Sequence, residues 1–155
     1  MAAAALVLSS LEPVSASVRS EAFAGIAVLS ALALVADLLS FALPKGAHGT
    51  IASMPALALV LISPSWHSIV ALAAVKAIIE SARRANFEKA VFNISQYVLS
   101  FGLAAYVFLK YGGEPFLSAP DISLRALTVR NGLPAFGPIL VMYASNSLLV
   151  CALVA

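Results

Sequence analysis

Residues 83–111 read RRANFEKAVFNISQYVLSFGLAAYVFLKY, and this stretch decides the fold. It opens on Arg83 and Arg84, passes through the amphipathic run Asn86-Phe87-Glu88-Lys89, and enters an apolar segment from Ala90 to Leu109. Lys110 and Tyr111 close it before Gly112-Gly113. About 20 apolar residues with charged and aromatic ends have the length and dressing of a membrane-spanning helix. Asn93 and Gln96 lie one turn apart inside it and share a face. Amides are costly against lipid, so that face is expected to point at protein.

The composition agrees. The chain is 62% hydrophobic and 10% charged, with a mean hydropathy of +1.01. An ordinary soluble domain is roughly half apolar and about a quarter charged. An integral membrane protein is therefore expected, with the lipid bilayer as its first partner. The formal net charge of +2 is small and scattered. No basic run exceeds Arg83-Arg84, which argues against nucleic acid as a partner. The single cysteine, Cys151, lies in an apolar run and reads as a small buried hydrophobe. Paired Cys/His metal spacing is absent, so no metal site is expected.

Working outward, the chain reads as one transmembrane domain over residues 1–155, an all-α polytopic bundle of roughly four to six helices. The N-terminus lacks a basic region ahead of its apolar part, so no cleaved signal is expected. Residues 1–21 then hold a short helix, Ala2 to Leu11, interfacial or packed on the bundle. The first span is Ala22 to Leu43, stopped by Pro44-Lys45-Gly46. Asp37 falls about two turns from the end of that span. It reads either as a ligand or cation contact, or as an acid near the boundary that meets water or Lys45; the second is preferred. The loop Lys45 to Thr50, with His48 between two glycines, does not fit a phosphate-binding pattern.

Residues 51–80 hold two apolar runs, Ile51 to Ser63 and Trp66 to Ile79, each short for a span and separated by Pro64. They read as short tilted helices, or as a broken or re-entrant hairpin shielded by protein. Broken helices make a pocket easy to build there. His67 beside Trp66 reads as a surface residue at an interfacial turn. Lys76 and Glu80, spaced i,i+4, read as an interfacial pair. Arg83, Arg84 and Lys89 form the densest basic loop and are expected on the cytoplasmic side of a bacterial inner membrane.

Beyond the membrane segment at 90–110, Gly112 to Pro120 is a loop, and Asp121 to Arg130 reads as a short interfacial helix. The last span covers residues 133–155, with Pro134 near its start and Pro138 one turn on. It ends in apolar sequence without a charged flank, as though the chain were cut short. Asn146 lies in its middle and is the natural partner for Asn93 or Gln96 across a helix interface. These amides would fix helix packing or line a small polar pocket, and packing is the preferred role.

No catalytic constellation is present. His48 and His67 sit apart with no acid or thiol placed to make a nucleophile pair. The seven carboxylates are spread along the chain, and no nucleophile elbow occurs. Enzymatic activity is not expected, and no cofactor is indicated.

Several of these pieces together resemble a bacterial membrane-sensor region, the multi-helix module found ahead of HD-GYP phosphodiesterase or GGDEF diguanylate cyclase domains. They are the Pro44 to Gly49 loop followed by the short apolar pair, then Phe92-Asn93-x-x-Gln96 in a small-residue helix ending at Gly112-Gly113, and the late Tyr143-x-x-Asn146-Ser147. The resemblance covers Asp37 to the C-terminus. It implies a sensory or scaffolding role in cyclic di-GMP signalling, with a cytoplasmic signalling domain or other membrane subunits as partners. In outline the chain is also similar to the substrate-binding subunits of energy-coupling-factor vitamin transporters. A small accessory subunit of a photosynthetic or respiratory membrane complex is the third class such a chain allows.

Overall fold

The computed structural model describes residues 19–39, 41–42, 48–49, 51–113, 115 and 132–154. The expected helix at Ala2 to Leu11, the Pro44-Lys45-Gly46 stop and the Asp121 to Arg130 segment lie outside them. What is described is all-helical apart from one two-residue pairing. The elements are α1 (Arg19–Leu38), β1 (Phe41–Ala42), β2 (His48–Gly49), α2 (Ser53–Ile62), α3 (Trp66–Ala82), α4 (Phe87–Lys110) and α5 (Gly132–Val154). β1 and β2 pair antiparallel, with Phe41 opposite Gly49 and Ala42 opposite His48. α1 packs on α2 and α3, α3 packs on α4, and α5 lies along α4.

Each helix owes its orientation to an uneven distribution of side-chain size and polarity. On α1, Ile26, Ser30, Ala33 and Asp37 recur at helical spacing and are buried. Val28, Leu32, Val35 and Leu39 recur on the other side and are exposed. Apart from Ile26, the large aliphatic side chains of α1 therefore face outward, and small or polar ones face in. α5 repeats this, with Phe136, Leu140 and Tyr143 exposed and Met142 and Pro138 buried. The core between the helices is built from Leu59, Val60, Ile69, Leu72, Ile79, Phe101, Ala104 and Ala105.

The region 51–80 resolves into two helices and a serine corner. Ser65 caps α3 by accepting from the Ser68 backbone N–H at 3.5 Å, and the Ser68 hydroxyl donates to the Ser63 carbonyl at 2.6 Å. Ser63, Pro64 and Ser65 are all buried. The corner thus satisfies its own polar groups, which is what a chain reversal inside a bundle requires. α2 has 10 residues, a length of about 15 Å, half the hydrocarbon thickness of a bilayer. His67 is more enclosed than a surface histidine: its ring stacks on Trp66 at 3.7 Å and meets the edge of Phe23 at 5.5 Å.

Helix boundaries differ from the sequence expectation, most of all at the end of α1. α1 ends at Leu38 rather than at Leu43, because the chain turns at Leu39 and enters the β1–β2 pairing. Asp37 consequently lies in the last turn of α1, not two turns inside it. α4 starts at Phe87, ahead of Ala90, with Glu88 in its first turn and Lys110 in its last, both signs matching the helix dipole.

α3 and α4 end in the same kind of turn. At the end of α3, Ala85 N–H donates to Glu80 O and Arg84 N–H to Ser81 O, and Arg84 takes a left-handed φ of 52°. At the end of α4, Gly113 N–H donates to Phe108 O and Gly112 N–H to Leu109 O, with Gly112 at φ 78°. Both are Schellman caps, which satisfy the last carbonyls of a helix. Gly113 is needed for a second reason: a Cβ there would stand 2.5 Å from the Phe108 ring. Gly113→Ala is expected to cost about 1–3 kcal/mol by overpacking. Arg84→Gly, which relieves a left-handed residue, should move stability the other way by about 1 kcal/mol. Thermal unfolding followed by circular dichroism measures both, and equal melting temperatures for Gly113→Ala and the parent would contradict the cap geometry.

Candidate functional site

The α3–α4 connection spans only residues 83–86, so the two helices fold back as antiparallel neighbours. That places Lys76, Glu80 and Arg83, at i, i+4 and i+7 along one face of α3 and its cap, against the amide face of α4. Across the second interface stands the last turn of α1, carrying Asp37. Four charges meet there. Lys76 Nζ lies 3.3 Å from Asp37 Oδ2 and 3.5 Å from Glu80 Oε1. Arg83 Nη2 lies 3.3 Å from Asp37 Oδ1 and also donates to the Asp37 backbone carbonyl at 3.0 Å. Asn93 Nδ2 donates to Glu80 Oε1 at 3.0 Å.

Burial turns these contacts from ornament into constraint. The Asp37 and Glu80 side chains are each 5% exposed and Lys76 is 16% exposed, while Arg83, at 37%, stands at the rim. A carboxylate so enclosed needs its charge balanced and its lone pairs occupied. Asp37 receives two cations, and Glu80 receives one cation and one amide. The set carries two positive and two negative charges and is neutral. Arg83 does more than balance charge. Asp37 O belongs to the final turn of α1, where the helix presents unpaired carbonyls and the negative end of its dipole. Nη2 of the guanidinium meets carboxylate and carbonyl together.

Beside the cluster lies a cavity of about 480 Å³. Asp37, Lys76, Glu80, Arg83 and Asn93 form its charged wall, and Gln96, Tyr97 and Ser100 continue down α4. Ala52 and Ser53 at the start of α2, with Phe101, Met142 and Tyr143, complete it. The face of α4 is therefore graded: Asn93, Gln96, Tyr97 and Ser100 line the polar part, and Phe101, Ala104, Ala105 and Phe108 are buried further along. Tyr97 stacks at a tilt on Phe101, with ring centroids 4.5 Å apart, and carries Lys76 Nζ 5.7 Å from its own. Ser145 on α5 donates to Ser100 Oγ at 3.2 Å and ties the two helices below the cavity.

The expected site residues are only partly gathered here. Asp37, Asn93 and Gln96 line the cavity together. Asn146 lies on α5, with its side chain outside the described residues, and Asn93 donates to Glu80, an acid on α3. Asp37 pairs with Lys76 and Arg83; Lys45, the base expected to meet it, lies outside the described residues. Lys76 and Glu80 do pair along one helix, but inward. Of the basic loop, Arg84 and Lys89 are exposed and Arg83 is turned to α1. Sequence reasoning alone does not place Lys76, Glu80 or Tyr97 in the site. The signal available for them is spacing: 76, 80 and 83 share a face with Leu72 and Ile79, as 97 does with 93 and 100.

The class defined is an all-α bundle with a neutral, buried ionic cluster beside a polar cavity. Compared with family models, curated proteins and solved structures, the chain matches none.

Removal of one partner from the cluster separates a buried cluster from surface pairing. Asp37→Ala is expected to lower stability by about 1–3 kcal/mol, because Lys76 keeps Glu80 but loses its second carboxylate and Arg83 loses its ion pair, whereas exposed pairs contribute about 0–1 kcal/mol. The double variant Asp37→Ala/Lys76→Met, which restores neutrality, should lose less than the sum of its single changes. Strict additivity in chemical denaturation would contradict the pairing.

Proposed function

We propose that the chain is a non-enzymatic, multi-pass helical module of the bacterial inner membrane that serves a cyclic di-GMP signalling protein as its sensory or scaffolding part. The observation that carries this is the pairing of an ionic, cavity-lining interior with helix exteriors made of large aliphatic and aromatic side chains. On α1, Ser30, Ala33 and Asp37 turn to the bundle with Val28, Leu32 and Val35 outward, and on α5 Phe136 and Leu140 stand outward, which suits a lipid surround. α4 supports the same reading, being long and apolar enough to cross a membrane by length and composition, with a hydropathy of 1.4. Among the described residues it alone passes that test; α1, α2 and α5 contain shorter apolar stretches.

The sensory side of the proposal rests on the cavity and on the resemblance carried by Phe92-Asn93-x-x-Gln96 and Gly112-Gly113. A scaffold would need only packed helices, and Asn93 donating to Glu80 is packing of that kind. A cavity of about 480 Å³ is space that packing does not require, and it falls in the range of small-molecule sites, about 300–1,000 Å³. With the Arg84 and Lys89 end of the bundle in the cytoplasm, the cavity wall from Arg83 to Asn93 lies toward the same side.

The native protein, released from membranes by gentle detergent and analysed by intact mass spectrometry, tests the proposal. Membrane retention after alkaline carbonate washing, and a mass exceeding this chain by a soluble domain, are the expected results. Recovery in the soluble fraction would overturn the membrane placement. Co-purification at fixed stoichiometry with subunits of an energy-transducing complex, or with an ATPase and coupling protein, would replace the sensor by an accessory or transporter subunit.

A further inference from the structure

The outer surface at the α3–α4 turn has a chemistry of its own. The aliphatic exterior of α1, with Val28, Leu32 and Val35 outward, runs up to Leu38 and Leu39, both exposed. That is the level of Asp37, which Arg83 reaches at carboxylate and carbonyl. The residues that follow Arg83 therefore stand just past the end of the apolar surface, and they change in kind. Arg84, Phe87 and Lys89 are all exposed, Phe87 at 79%. A bare aromatic ring between two cations, at the rim of an aliphatic surface, suits a headgroup boundary: the ring enters the acyl edge and the cations reach phosphate. Lys76 and Arg83 are held by Asp37 and Glu80, so among the described residues Arg84 and Lys89 are the cations this end turns outward. Glu88, also exposed, offsets part of their charge. The far end of α4 sets the scale. Tyr106, Lys110 and Tyr111 are exposed there, with Lys110 Nζ 5.7 Å from the Tyr106 ring centroid. From Lys89 to Lys110 the helix rises about 31 Å, close to the roughly 30 Å of a hydrocarbon core. Aromatic and cationic residues at both ends are the dressing of two interfaces.

We infer that the α3–α4 turn is a contact site for anionic phospholipid, with Arg84 and Lys89 on the headgroup phosphate and Phe87 in the adjoining acyl layer. An anionic headgroup leaves its phosphate charge to be met by the protein, whereas a zwitterionic one brings its own cation and gains less from the two side chains. The helix cap divides the work between neighbouring arginines. Its left-handed residue, Arg84 at φ 52°, turns outward, while Arg83 beside it turns back to Asp37. This inference rests on the membrane placement proposed above and adds to it a lipid class and a place on the bundle.

The full chain, equilibrated in neutral-detergent micelles with equal amounts of phosphatidylglycerol and phosphatidylcholine and analysed by native mass spectrometry, tests it. Retained phosphatidylglycerol is expected to exceed phosphatidylcholine by about fivefold or more. Arg84→Gly/Lys89→Gln should bring the two lipids to parity; glycine suits the left-handed cap and position 89 is exposed, so the fold is kept. Lys89→Gln alone should lower the preference part-way, and Lys110→Gln at the opposite end should leave it unchanged. Equal retention of the two lipids by the parent, an unchanged ratio in the double variant, or an equal loss in Lys110→Gln would each overturn the assignment. Inorganic phosphate should not displace the retained lipid; displacement would make this a site for free phosphate and overturn the lipid as its occupant. A chain that stays in carbonate-washed membranes yet shows no lipid preference fails this inference alone. A chain recovered in the soluble fraction fails the membrane placement, whatever its lipid ratio.

Discussion

The bundle depends on one carboxylate. Asp37 terminates α1, and without compensation a negative charge at the negative end of a helix, 5% exposed, is a poor arrangement. Lys76 and Arg83 make it a good one, and in doing so bring α1 against the C-terminal half of α3. Glu80 then balances Lys76, and Asn93 occupies Glu80, which extends the network to α4. Three helices are oriented by one chain of contacts. The Schellman turn at Arg84 lets Arg83 point back to α1 while the chain itself departs into α4.

Much of the architecture is legible in the sequence, and the reason is length and periodicity. The run from Phe87 to Lys110, its charged ends and the glycine pair specify a long helix and its stop without help from tertiary contacts. The split of residues 51–80 is visible in Pro64 and the serines around it. The end of α1 is not. Leu39 to Leu43 is as apolar as what precedes it, and hydropathy is blind to a backbone that leaves the helix to pair with His48–Gly49.

The site is legible as polarity and illegible as partnership. Asn93 and Gln96 stand out because amides in an apolar run demand a protein environment, and both line the cavity. Lys76, Glu80 and Arg83 read as interfacial because charges near helix ends usually find water. Their shared face is readable, but the opposing charge sits 39 residues from Lys76, on another helix. Local spacing carries no record of that distance. Asp37 alone reads as an anomaly, and it becomes intelligible only when α1 and α3 are placed side by side.

A buried neutral cluster is weak evidence for stability, since well-packed apolar residues of similar volume often do as well or better. Its value here follows from the residues around it. α1 turns Ala33 and Ser30 inward beside Ile26. Small side chains let helices approach closely but discriminate poorly between one rotational setting and the next. Charges discriminate sharply: a rotation of α1 that moved Asp37 off Lys76 and Arg83 would leave a buried carboxylate without its cations. The same rotation would present Val28 or Val35 to a wall shaped for Ala33. Aliphatic bulk outside and ionic pairing inside therefore select one setting of α1. That setting places the ionic cluster beside the space lined by Asp37, Tyr97 and Met142.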